Sequence, residues 1–177
     1  EDGIRDYKVT GVQTCALPIS LERAQALVST IQACVVRQGG TLDKLAVDDK
    51  GVSALAVWGM PPLVHPDGAV RAIRAAWDIR ERFTQLDSSF SAGIATGRVY
   101  CGDMGHPERR DFTVLGDPVN TAARLMRAAP AGDIWVETAT RRDSRGRWDF
   151  EELPPMALDR KSTRLNSSHL VISYAVF

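Results

Sequence analysis

Apolar residues recur at helical intervals through residues 21–37. Leu21, Ala24, Leu27, Val28, Ile31 and Val35 fall on one stripe, and Gly39-Gly40 ends it. That pattern predicts an amphipathic helix. Residues 41–58 instead alternate and then run apolar on either side of Asp48-Asp49-Lys50-Gly51, which predicts a hairpin. A proline-punctuated loop over 60–67 carries His65, which reads as a surface histidine. Val70, Ile73, Trp77, Arg80 and Phe83 then return at helical spacing and predict a second helix over 68–86. Residues 90–103 read as two short strands seeded with Gly93, Gly97 and Gly102. Glycines inside strands imply bends or close backbone approach. Cys101 among them reads as a small buried hydrophobe.

Residues 110–125, RDFTVLGDPVNTAARL, read as a short strand, a tight turn and the opening of a helix, with Asp117 where an N-cap belongs and Pro118 at the first helical position. Beyond it the pattern predicts a strand over 133–136, a short helix over 137–141 and a strand over 148–153. Arg141, Arg142, Arg145 and Arg147 are interleaved with Asp143 and Asp149, as in a solvated loop.

The two ends do not share this organisation. Residues 1–19, EDGIRDYKVTGVQTCALPI, and 159–177, DRKSTRLNSSHLVISYAVF, resemble translations of one sequencing-library adapter read in opposite directions. The chain carries an internal check on that reading. The adapter's variable index falls on Tyr7-Lys8 at one end and Leu170-Val171 at the other; codons TAC-AAG for Tyr-Lys give CTT-GTA in reverse complement, which encodes Leu-Val. Such segments are set aside before a fold is read. The expected organisation is adapter translation over 1–19, a partial domain over 20–158 and adapter translation over 159–177. Cys15, Asn166 and His169 then carry no functional weight.

The 177 residues hold 22 basic and 22 acidic side chains, enough for one soluble domain with a buried core and without the basic surplus that nucleic acid demands. Setting the ends aside leaves that balance nearly unchanged. No apolar run is long enough to cross a bilayer. Cys15, Cys34 and Cys101 have neither metal-ligand nor disulfide-framework spacing, which fits a reducing, cytoplasmic setting.

Asn120 and Arg124 stand four apart, so a helix beginning near Asp117 places an amide and a guanidinium on one face. The turn followed by Val-Asn-x-Ala-x-Arg resembles the signature of the class III nucleotide cyclases, and the resemblance extends over nearly all of residues 20–158. It implies an α+β fold with a ferredoxin-like core, truncated at both ends, and conversion of ATP to 3',5'-cyclic AMP and pyrophosphate. In that family the ribose 3'-oxygen attacks the α-phosphorus, and a guanidinium steadies the growing phosphoryl charge. By resemblance Arg124 takes that role and Asn120 orients the ribose. The family's base-reading lysine falls at Lys44, with Thr113 as its partner. Lysine donates to a purine ring nitrogen, and threonine can accept from the adenine amino group.

Many family members place Gly-Asp at the hairpin turn, the Asp being one of two metal carboxylates. Here Val47 stands at the glycine position and Asp48 at that of the Asp, with Asp49 beside it, so these two are the candidate metal ligands. The longer Lys-x-x-x-x-Asp-Lys-Gly form is similar to the second catalytic half of the soluble adenylyl cyclases, which supplies base-reading and transition-state residues while the first half holds the metals. Mg2+ or Mn2+ is therefore expected to be held mostly by the partner half or by residues missing from this chain. The implied partners are ATP and a second cyclase domain, as a homodimer or an intramolecular pair, and the fragment alone is expected to be inactive. The alternative, motivated by Val47 and the lengthened hairpin, is a non-catalytic cyclase-homology module that regulates a larger signalling protein.

Overall fold

The computed structural model describes residues 6–15, 21–48, 51–144, 146–153 and 169–174. In chain order the elements are β1 (Asp6–Cys15), α1 (Leu21–Arg37), β2 (Thr41–Asp48), β3 (Gly51–Trp58), α2 (Gly68–Gln85), β4 (Ser91–His106), β5 (Arg109–Leu115) and α3 (Asp117–Ala128). β6 (Ile134–Val136), α4 (Thr138–Asp143), β7 (Asp149–Leu153) and β8 (His169–Tyr174) follow.

The predicted stripe of α1 is buried through Ala24, Leu27, Ile31 and Val35, with Cys34 added. Its end is closed by the two glycines. Gly40 N–H donates to Val35 O and Gly39 N–H to Val36 O, each at 2.9 Å, and Gly39 adopts φ 69°, a left-handed value that a side chain would disfavour. The chain re-enters at once as β2, which pairs antiparallel with β3. The buried face of α2 differs from the predicted stripe. Ile73 and Phe83 are buried, but Ala69, Ala72, Ala75, Ala76 and Ile79 complete the face, leaving Val70, Trp77 and Arg80 at its margins. Small side chains let α2 come close to its neighbours where bulky ones would hold it off.

Among the described residues one mixed sheet runs β2-β3-β1-β4-β6-β8-β7, with β5 paired to β4. β4 and β6 are parallel and the other pairs antiparallel. The first four strands with α1 and α2 form a βαββαβ unit in spatial order β2-β3-β1-β4, the expected ferredoxin-like arrangement. One core lies between α1, α2 and the sheet, centred on Leu27, Ile31, Ile73, Phe83, Ile94 and Trp58. A second, smaller cluster on the opposite side joins Leu55, Val57, Met60, Val99 and Val114, with Cys101 and Val119 packed on its margin. Cys101 is thus half-buried, whereas Cys34 is fully buried.

β4 is one strand of 16 residues where two short strands were predicted. Its glycines do not break it, because they serve the helix above. Residues 6–15, set aside on sequence grounds, run as β1 between β3 and β4. A ladder is held by backbone groups, and a stretch without proline that alternates can fill such a place. Behind it the hydroxyls of Thr10, Thr96 and Thr140 form a buried chain, 2.8 Å and 2.9 Å apart.

Candidate nucleotide site

Two glycines on β4 decide where α3 lies. A Cβ at Gly93 would fall 2.1 Å from Ala122 O and 2.5 Å from Met126 N, and one at Gly97 would fall 2.7 Å from Pro118 Cγ. The helix therefore rests on the strand's backbone, on the side away from α1 and α2, as the close-approach reading of these glycines anticipates. Its start is one residue earlier than predicted. Gly116 is the N-cap and Asp117 the first helical residue, with no side-chain cap. Val119 and Asn120 N–H both reach Gly116 O, at 3.2 Å and 3.4 Å, so the backbone opens the helix without a carboxylate.

α3 buries Thr121, Ala122, Leu125 and Met126 and turns another face outward. That face, with Asn120, Ala123 and Arg127, borders a cleft of about 790 Å3. The size is that of a small-molecule site. The facing wall is β2. Leu42 pairs with Ala56 and Lys44 with Leu55, leaving Asp43 as the extra residue of a bulge. Residues opposite each other on a ladder share a side of the sheet. Leu42 accordingly packs into the α1–α2 core with Ala56, while Lys44 shares the side of Leu55, over which α3 lies. The bulge brings Asp43 to the same cleft. Asp111 and Phe112 of β5 form a third wall, both exposed.

Of the residues singled out from sequence, Lys44 and Asn120 line this cleft together. Thr113 does not. It is 9% exposed and lies beneath the surface of β5. Arg124 is half-buried, one turn beyond Asn120, and also stands off the cleft lining. Asp48 closes β2 opposite Gly51 in the ladder, with its side chain outside what is described, and Asp49 lies outside the described residues altogether. Among the described residues no group of three or more His, Cys, Asp or Glu could hold a metal ion. Sequence reading passed over Arg127 and Asp43. Arg127 was visible in principle, seven residues from Asn120 and so two turns along the same face.

Asp43 has distinctive electrostatics. Burial pushes its carboxyl above the ordinary carboxylate value, with the Lys44 ammonium opposing, and its Oδ2 is buried without a hydrogen-bond partner. Burial likewise raises the Cys101 thiol, and the Asp43 charge adds to that shift. Gln13 also lines the cleft, and its Oε1 is a second buried acceptor without a partner. A separate cavity of about 160 Å3 lies against Lys8, Thr10, Thr96 and Asp143, too small for a nucleotide and crossed by the 2.7 Å Lys8–Asp143 ion pair.

Comparison with solved structures bears on the fold. The adenylyl cyclase CyaB from P. aeruginosa superposes with a TM-score of 0.86 at 20% identity, covering 97% of each chain. The guanylate cyclase domain of RhGC from Catenaria anguillulae, solved in complex with GTP, gives 0.79 at 24% identity over 94% of this chain and 97% of that one. By sequence this chain is a homologue of adenylate cyclase type 10, and its fold is that of the class III adenylyl and guanylyl cyclase catalytic domains. Among curated proteins its similarity is to adenylate cyclase type 10: that of Rattus norvegicus is 35% identical over 143 residues, which is 75% of this chain. The chain spans only 9% of the length of that relative. No family model matches. No helix among the described residues is long and apolar enough to cross a membrane.

Proposed function

We propose that this chain is part of an adenylate cyclase, a phosphorus–oxygen lyase that converts ATP to 3',5'-cyclic AMP and pyrophosphate. The observation that carries the reading is convergence: Lys44 and Asn120, from separate stretches of sequence, border one nucleotide-sized cleft in a cyclase-type fold. Lys44 would donate to the purine and Asn120 would orient the ribose. Arg124, one turn further along α3, would meet the phosphoryl charge as it develops. The divalent cations would be held by a second cyclase domain or by residues outside this chain. Such a domain is also the expected partner, and the exposed apolar side chains Leu45 and Phe112 at the cleft, with Val47, Met104 and Leu115 on the same strands β2, β4 and β5, suit a covered surface.

The test is cyclic AMP formation by the full-length protein with Mg2+ or Mn2+. Arg124→Ala should lower turnover by about a hundredfold or more, whereas the 177-residue chain alone should form no product. Product from the lone chain would overturn the fragment assignment. Unchanged turnover in Arg124→Ala, with ATP still bound, would favour a non-catalytic cyclase-homology module.

We infer further that residues 1–19 and 159–177 are adapter translation. The codon complementarity supports this. Sequencing the source DNA from an independently prepared library should return different flanks, and identical flanks would refute it.

A further inference from the structure

On the edge of β4 that faces β6, Ala92 N–H donates to Asp133 O at 3.1 Å and Ile94 O accepts from Glu137 N–H at 2.9 Å. Alternate residues of the strand therefore turn their backbone groups to this edge. The ladder ends at the Ile94–Val136 pair, and Thr96 is the next residue to face it. Its N–H donates to the half-buried carboxyl of Glu137, the residue that opens α4. A buried carboxyl needs such a donor. The Thr96 hydroxyl also meets that of Thr140 in α4 at 2.9 Å. α4 thus holds β4 at Thr96 twice, through backbone and through side chain, and neither link uses residues 6–15.

Successive residues of a strand face opposite sides, so Thr96 meets α4 and Gly97 meets α3 across the sheet. A Cβ at Gly97 would fall 2.7 Å from Pro118 Cγ, and one at Gly116 would fall 3.2 Å from Arg98 O and Val99 Cα. The start of α3 is therefore seated on the three residues that follow Thr96. Asn120 comes two residues after that proline and borders the cleft. Close packing passes a shift of β4 at Thr96 to the first turn of α3.

We propose that Glu137 is a positioning residue for the nucleotide cleft: by holding the Thr96 N–H it fixes the stretch of β4 on which α3 begins, and so sets where Asn120 stands. This role rests on the cleft being the nucleotide site. Glu137 is not among the residues that line the cleft and acts through the strand.

Cyclic AMP formation by the full-length protein with Mg2+ would be measured for Glu137→Leu, which removes the acceptor at similar size, and for Glu137→Gln, which keeps it. Ile79→Val, a trim of the buried face of α2, controls for a plain loss of stability. Each assay runs well below the melting temperature of its variant. Glu137→Leu should lower kcat by about tenfold or more while KM for ATP changes by less than about twofold, because a slightly misplaced orienting group costs rate. Glu137→Gln should recover most of that rate, and Ile79→Val should leave kcat unchanged. Hydrogen exchange needs no turnover: the amides of Val119 and Asn120, both bonded to Gly116 O, should exchange about tenfold faster in Glu137→Leu. Should Glu137→Leu fail to fold, Glu137→Ala, which lets water reach the Thr96 N–H, carries the same expectations. Unchanged exchange at those amides overturns the coupling and leaves the cyclase reading standing. Faster exchange with kcat unchanged overturns the positioning role, and a loss of kcat that Glu137→Gln shares overturns the hydrogen bond as its cause. If the unmutated protein forms no cyclic AMP, the cyclase reading falls and this role with it.

Discussion

Gly93→Ala puts one methyl group where β4 and α3 meet. The new Cβ would stand 2.1 Å from Ala122 O, 2.5 Å from Met126 N and 2.8 Å from Leu125 Cβ. Two of those atoms are helix backbone, which no rotamer change can move. Strand and helix must part by roughly 1 Å to regain ordinary contact. Overpacking of this kind costs up to about 3 kcal/mol, offset by about 0.5–1 kcal/mol gained when glycine leaves a strand. A net loss of about 2 kcal/mol should lower the melting temperature by roughly 4–8 °C for a domain of this size. Because α3 carries Asn120, the shift should also weaken nucleotide binding. Gly68→Ala is the control, since its Cβ meets Trp58 Cβ at an ordinary 3.6 Å. It should be neutral or slightly stabilising. Thermal melting with calorimetry reads both variants, and an unchanged or raised melting temperature for Gly93→Ala would refute the seating argument.

Two further expectations concern stability. Glu137 is half-buried, and burial raises its carboxyl above the usual value against the opposing backbone N–H of Thr96. A raised folded value means that stability is fully present below the ordinary glutamate range and is lost as pH rises through the folded value. Denaturant titrations from pH 4 upward should show that loss, and Glu137→Gln should reduce it; an identical pH profile in the variant would contradict the assignment. Thr96→Val strips the central hydroxyl from the Thr10–Thr96–Thr140 chain and leaves its two neighbours short of a partner. Urea unfolding should show a loss of about 1–3 kcal/mol, and a change within error would show that the hydroxyls find other partners.

Helix α1 and its stop were readable because bulky residues marked the stripe and two glycines marked the end. The buried face of α2 was only half readable, since alanines at Ala69, Ala72 and Ala76 carry little hydrophobic signal yet form much of the buried face. The single strand β4 was misdivided for the opposite reason. Gly93 and Gly97 look like breaks along the chain and become a seat only when α3 is laid over them. Among the residues that line the cleft, Lys44 and Asn120 had been singled out through the family pattern. Asp43 was not, because a bulge is a property of a strand pair and leaves no periodic trace in one strand alone. Residues 6–15 show the converse: a stretch excluded by its coding logic can still satisfy the backbone of a central strand.

The length of β4 has a consequence for how the cleft is maintained. Past Tyr100 the strand leaves β1 behind and pairs with β5 alone, and residues 103–112 of this two-stranded arm are exposed throughout. Two strands without a covered face are marginal in water. The arm's amide hydrogens therefore sit behind a much smaller opening free energy than those of the ferredoxin-like core. Asp111 and Phe112, one wall of the cleft, ride on that arm. The wall is thus the first part of the cleft to open in a lone chain, and a surface packed on Met104 and Phe112 would raise its local stability directly.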